Sequence, residues 1–200
     1  MTGSNRDVFI NCPFDRAYQP KLHAIVVHDL SVGLQGEVFP RGRQRGRQSL
    51  RQDLWYKYGI HDISRTEVNG DPPLPRFNMP LELGLFLGFC LAGNKRQRQK
   101  RCIVFDKERY RYQRFISDIA GQDIHCHDDD ERRLITELAS WLREQSGDSK
   151  VPGGSVIAHE FADFSVCLPA VLDDRRLAME EVTFSDYTSI VAKYLAIVDV

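Results

Sequence analysis

Apolar positions along this chain follow two rhythms: short continuous runs, and stripes that recur about every three to four residues. Asp7 to Asn11 is a run of the first kind, stopped by Cys12-Pro13-Phe14-Asp15, and reads as a buried first strand. From Tyr18 to Leu30 the spacing of Leu22, Ile25, Val26 and Leu30 predicts an amphipathic helix, which Gly33 ends. Gly36 to Pro40 makes a short second strand, and a weak helix is expected around Gln48 to Tyr56. Lys57 to Ser64 is the third strand, closed by the turn-rich segment Asn69-Gly70-Asp71-Pro72-Pro73-Leu74-Pro75.

The second half keeps the alternation. A strongly apolar helix is predicted from about Pro80 to Ala92, with Gly93-Asn94 ending it. Arg101 to Asp106 is a fourth strand, Tyr110 to Ile119 a short helix, and Asp123 to Cys126 a fifth strand. Asp130 is placed to cap a helix from Glu131 to about Glu144, with Leu134, Leu138 and Leu142 facing inward. Strands that alternate with helices at these intervals predict an α/β protein whose parallel sheet is covered on both faces. Ser146 to Ser155 reads as a linker, and Ser185 to Val198 as a terminal helix built on Tyr187, Ile190, Val191, Tyr194 and Leu195. The chain thus divides into an α/β domain over 1–145, a linker over 146–155, and an extension over 156–200 that packs on the domain or on a partner.

One helix carries the most chemical information. In Phe77-Asn78-Met79-Pro80-Leu81-Glu82-Leu83-Gly84-Leu85-Phe86, Pro80 suits a first turn and Asn78 is placed to cap it. Leu81, Leu85 and Phe86 have the spacing of a buried face, and Glu82 stands among leucines, where a charge is costly without a partner or a task. In parallel α/β proteins the ligand edge is the carboxyl end of the strands. Asn11, Cys12, Pro13, Phe14 and Asp15 leave the first strand there, and Asp62, Ser64 and Arg65 leave the third. Phe14 has the ring to stack on a base and Asn11 the amide to bond a ribose or phosphate, while Arg65 suits a phosphate and Asp62 a ribose hydroxyl. The competing reading pairs Asp62 with Arg65 as a local structural contact.

Composition narrows the classes. The hydrophobic content of 42% is enough for a packed core, and the net charge of -1 argues against nucleic acid or an anionic membrane as partner. The basic run Arg41, Arg43, Arg45, Arg47 and Arg51 and the acidic run Asp128 to Glu131 read as solvated loops. Tyr110 and Tyr112 interleave with Arg109, Arg111 and Arg114, which suits nucleic acid or, more simply, an amphipathic helix surface. Cys12, Cys90, Cys102, Cys126 and Cys167 have no paired spacing, as reduced cytoplasmic thiols do not. His125 and His127 share one face of a strand while Cys126 takes the other, so a metal site is not expected. The polar Met1 to Asp7 does not read as a signal peptide, and the apolar stretch from Leu81 to Ala92 is too short to cross a bilayer.

These residues carry a resemblance. Asp7-Val8-Phe9-Ile10 with its polar loop resembles the opening of Toll/interleukin-1 receptor (TIR) domains, and Glu82, in the helix after the third strand, stands where bacterial and plant TIR enzymes keep a catalytic carboxylate. The order Asn78-x-x-x-Glu82-x-Gly84 is also similar to nucleoside 2-deoxyribosyltransferases, which often carry an aspartate ahead of the glutamate. The resemblance spans roughly residues 7 to 144. It implies a flavodoxin-like three-layer sandwich on a mainly parallel five-stranded sheet, with the C-terminal helical extension added.

It further implies cleavage of the nicotinamide–ribose bond of NAD, with Glu82 catalytic and Asn11, Pro13, Phe14, Asp15, Asp62, Ser64, Arg65, Asn78 and Met79 around the substrate. NAD would be the substrate, and no resident cofactor is required. A homo-oligomer or a partner-activated assembly in the cytoplasm, serving antiphage defence or signalling, goes with that class. The alternatives are a nucleoside 2-deoxyribosyltransferase or N-glycosidase, and a non-catalytic TIR-like interaction or nucleotide-sensing module.

Overall fold

The computed structural model describes residues 7–38, 56–66, 68–69, 74–75, 77–119 and 121–198. The arginine run, 41–51, and all but Tyr56 of the helix expected over 48–56 lie outside the described residues. The protein is a mixed α/β structure with a parallel sheet and several helices. Its residues group into two units, Met1–Tyr18 with Gln35–Asp129, and Gln19–Leu34 with Asp130–Val200.

The first unit is the sheet. β1 (Asp7–Asn11), β2 (Gln35–Val38), β3 (Tyr58–Asp62), β6 (Arg101–Asp106) and β7 (Ile124–Cys126) lie in the order β2-β1-β3-β6-β7, and every neighbouring pair is parallel. All five residues of β3 are buried, as expected of a central parallel strand. The strand after the first helix is described over Gln35–Val38, and the rest of the stretch expected as far as Pro40 lies outside the described residues. The turn-rich segment holds a small antiparallel ribbon, β4 (Val68–Asn69) with β5 (Leu74–Pro75).

Helix α2 (Asn78–Ala92) belongs to the same unit and starts two residues earlier than its proline suggests. Asn78 is not its cap: Phe77 holds that position with no side-chain cap bond, and Asn78 is the first helical residue. The buried face also differs from expectation. Met79, Leu83 and Phe86 are buried, whereas Leu81 is 62% exposed and Leu85 only half-buried. The helix is apolar all round, so spacing alone does not single out the face that meets the sheet. Leu83 packs with Ile63, Val104 and Tyr112, and Phe86 with Phe9 and Tyr56. The segment expected as one helix from Tyr110 is two short 3-10 turns, Arg111–Arg114 and Ser117–Ile119.

The second unit is helical: α1 (Gln19–Ser31), α3 (Glu131–Ser146), α4 (Gly154–Asp174) and α5 (Phe184–Val198). Gly33, at φ 70°, takes the left-handed turn that follows α1. Asp130 caps α3 by accepting from Arg133 N at 2.8 Å, and Leu134, Leu138 and Leu142 are buried. α4 starts at the end of the segment read as a linker and runs through the extension expected to be helical. Phe164, Leu168 and Leu172 of α4 pack with Val26 and Val27 of α1 and with Tyr187, Ile190 and Val191 of α5. Among the described residues α4 is the helix long and apolar enough to cross a membrane by length and composition, which the stretch from Leu81 to Ala92 is not.

Candidate functional site

The carboxyl ends of β1, β3 and β6 and the turn after β7 bring polar residues together in the first unit. Asp62, the last residue of β3, is wholly buried and is the hub. Its Oδ1 accepts from Ser64 N at 2.8 Å, and its Oδ2 accepts from the Tyr18 hydroxyl at 2.6 Å. His127 Nε2 faces the same Oδ2 at 3.1 Å. Asp129 N donates to His127 Nδ1 at 3.0 Å. Burial raises the Asp62 pKa, but the bonds from His127, Ser64 and Tyr18 outweigh it and the net shift is downward.

Asp62 was expected to meet a ribose hydroxyl and to pair, if at all, with Arg65. Its oxygens are instead turned to protein donors, and Arg65 Nε lies 3.9 Å from Asp15 Oδ2, both side chains about a quarter exposed. Asp15 also accepts from Tyr18 N at 3.1 Å. The loops after β1 and β3 are therefore joined by one carboxylate and one guanidinium that stay open to solvent.

Asn11, expected to bond a ligand, has its amide nitrogen engaged within the protein. Its Nδ2 donates to Met79 O at 2.9 Å and lies 3.0 Å from His61 Nδ1, so the end of β1 holds both β3 and the first turn of α2. Met79 is fully buried. His61 packs edge-on against Phe86, with ring centroids 4.9 Å apart, and burial together with the nearby Lys100 charge lowers its pKa to about 3.

Glu82 is half-buried on α2. Its surroundings show in Cys12: burial, and after it the charges of Asp62, Glu82 and Asp15, hold that thiol well above its ordinary pKa. Of these carboxylates Asp62 is buried, whereas Glu82 and Asp15 reach solvent. Pro13 is buried beside Cys12, and Phe14 and Asn78 are half-buried. Ser64 is buried, and its Oγ has no hydrogen-bond partner among the described residues.

Tyr18, His127, Asp106 and Arg111 were not expected here. Asp106 ends β6 as Asp62 ends β3, and Arg111 Nε donates to its Oδ1 at 2.8 Å. Burial raises the Asp106 pKa against the pull of Arg111. A polar residue closing each apolar run was the available signal. His125 and His127, which share a strand face in the sequence pattern, go to different partners: His125 stands 3.6 Å from Asp123, and His127 points to Asp62.

Comparison with known proteins returns no match: no protein-family model, no curated protein and no solved structure is similar to this chain at a meaningful level.

Proposed function

We propose that the protein cleaves an N-glycosidic bond of a nucleotide, with NAD as substrate and Glu82 as the catalytic carboxylate. The observation that supports this reading is the placement of Glu82: half-buried, near the start of α2, in the same unit as the polar ends of β1 and β3. Carboxyl ends of parallel strands are where α/β proteins hold ligands. The wider reading is a flavodoxin-like three-layer sandwich on a five-stranded sheet, TIR-like in its chemistry, working in a cytoplasmic defence or signalling assembly.

Rupture of the C1′–N bond spreads positive charge over C1′ and the ring oxygen. A carboxylate beside that carbon favours this state over the neutral sugar and so lowers the barrier. Nicotinamide leaves NAD as a neutral base with the bonding pair, so no acid is needed to protonate it. Glu82 either shields the cation or bonds to C1′, and water then adds its oxygen there and gives up a proton. Asn11 fixes the helix turn that presents Glu82, and Arg65 with Asp15 lines the rim.

The test is NAD consumption by the wild-type protein and Glu82→Gln, at low and high protein concentration, with products separated by chromatography. The expected result is nicotinamide release that falls by about 10³ in the variant. Equal turnover by both proteins, or base release from deoxynucleosides with NAD untouched, overturns NAD cleavage at Glu82.

A further inference from the structure

The loop after β6 holds a side chain that the chemistry at Glu82 leaves unused. Its inner side is fixed. Arg111 Nε bonds Asp106, Arg111 Nη2 donates to Ile63 O at 2.9 Å and to Thr66 Oγ1 at 3.3 Å, and Tyr112 is buried with Ile63, Leu83 and Val104. Tyr110, directly before this anchor, is held at φ 59° and ψ 5° with 69% of its surface exposed. The left-handed region disfavours any side chain with a Cβ, and asparagine or glycine makes the same turn with less strain. A tyrosine there costs backbone energy and, being so exposed, returns little packing. Such outliers are retained where the surroundings impose them, and they cluster at ligand sites.

The company of Tyr110 suggests the ligand. Arg109 and Arg114 are exposed on either side of the anchored Arg111, and the Arg111 guanidinium lies over one face of the Phe115 ring at 4.9 Å, while Tyr110 is the more exposed ring. An open aromatic face takes a base, which has a π-surface of its own, and guanidinium groups take a phosphate. The loop is anchored at the carboxyl end of β3: Ile63, whose carbonyl holds Arg111, directly follows Asp62.

We propose that Tyr110 is the stacking platform for the base of a nucleotide, with Arg109 and Arg114 holding its phosphate. This deepens the glycosidic reading and rests on it in one respect, the assignment of the platform to the adenosine half of NAD.

The experiment is titration calorimetry with AMP and with adenosine on the full chain, comparing wild type with Tyr110→Ala, Tyr110→Phe and the double variant Arg109→Ala, Arg114→Ala. Wild type is expected to bind AMP, Tyr110→Ala to bind it about tenfold more weakly, and Tyr110→Phe to bind it as wild type does. The arginine variant is expected to lose affinity for AMP and not for adenosine. Equal AMP affinity in wild type and Tyr110→Ala, no AMP binding by wild type, or binding of a single-stranded oligonucleotide in place of AMP each overturns the platform. Failure here with Glu82-dependent NAD cleavage intact removes the platform alone. AMP binding without NAD cleavage removes the Glu82 reading and leaves the platform standing.

Discussion

The Tyr18 hydroxyl donates to Asp62 Oδ2 at 2.6 Å, bonding the loop that follows β1 to the carboxyl end of β3. A buried carboxylate is costly unless donors surround it. Asp62 has Ser64 N at 2.8 Å and His127 Nε2 at 3.1 Å besides Tyr18, and its pKa falls below the ordinary carboxylate value despite its burial. The ionised form is therefore the one the fold is built around.

Tyr18→Phe is expected to lower the free energy of unfolding by about 1.5–3 kcal/mol, the range for a hydrogen bond to a charged group. Because the folded pKa of Asp62 is depressed, its contribution is complete above the ordinary carboxylate pKa and is lost as pH falls below it. Urea titrations at neutral pH should show the full deficit, and the deficit should shrink in the acid range. A deficit that does not change with pH would mean that the hydroxyl does not support the charge.

Two histidines, the buried His61 and the half-buried His23, set an earlier acid response. Burial lowers His23 to about 4, and burial with the Lys100 charge lowers His61 to about 3, both from an ordinary 6.5. The unfolded chain takes up these protons first, so stability is lost as pH falls below 6.5, at up to about 1.4 kcal/mol per pH unit for each histidine. The His23 ring stacks on Tyr187 with centroids 3.8 Å apart. His23→Phe keeps that stack without the titration, so its stability curve should be flatter than wild type between pH 6.5 and about 4. Parallel curves would exclude His23 as a source of the slope.

Gly59 is the close-packing point of β3. A Cβ there would lie 2.8 Å from His61 Nε2 and 2.9 Å from the Phe86 ring, nearer than real side chains sit. Gly59→Ala is expected to cost about 1–3 kcal/mol through overpacking. The displaced Phe86 is one helical turn beyond Glu82, so the substitution also disturbs the helix that carries the carboxylate. An unchanged melting temperature would show that His61 and Phe86 can move aside freely.

Much of this architecture was legible in hydropathy. The runs Asp7 to Asn11 and Arg101 to Asp106 are strands at the expected residues, and Asp130 caps its helix as placed. Legibility failed where pattern carries no direction. α2 is apolar on every side, so Leu81 and Met79 are alike in sequence although one faces solvent and the other is buried. α4 begins at glycine and contains Pro169, both of which read as breaks, although Phe164, Leu168 and Leu172 anchor it. At the candidate site the polar residues at the strand ends were visible. Which of them turn inward was not, because Asn11 and Asp62 are committed through partners 50 or 44 positions away, at His61 and Tyr18.

Tyr110 offers a test in which stability and binding move in opposite directions. A left-handed backbone costs a residue bearing a Cβ roughly 1–2 kcal/mol, and glycine is free of that cost. With its ring 69% exposed, Tyr110 forfeits little burial when truncated. Tyr110→Gly is therefore expected to raise the free energy of unfolding by about 1 kcal/mol, while Tyr110→Ala, which keeps the Cβ and the strain, leaves it nearly unchanged. In a chain of 200 residues, 1 kcal/mol moves the melting temperature by roughly 2–4 °C, within reach of calorimetry. Both variants should lose AMP affinity alike, since both lack the ring. A stability gain in glycine joined to that loss would mean that the strain at Tyr110 is kept for its ligand, and equal stability of all three proteins would mean that the turn carries no strain to explain.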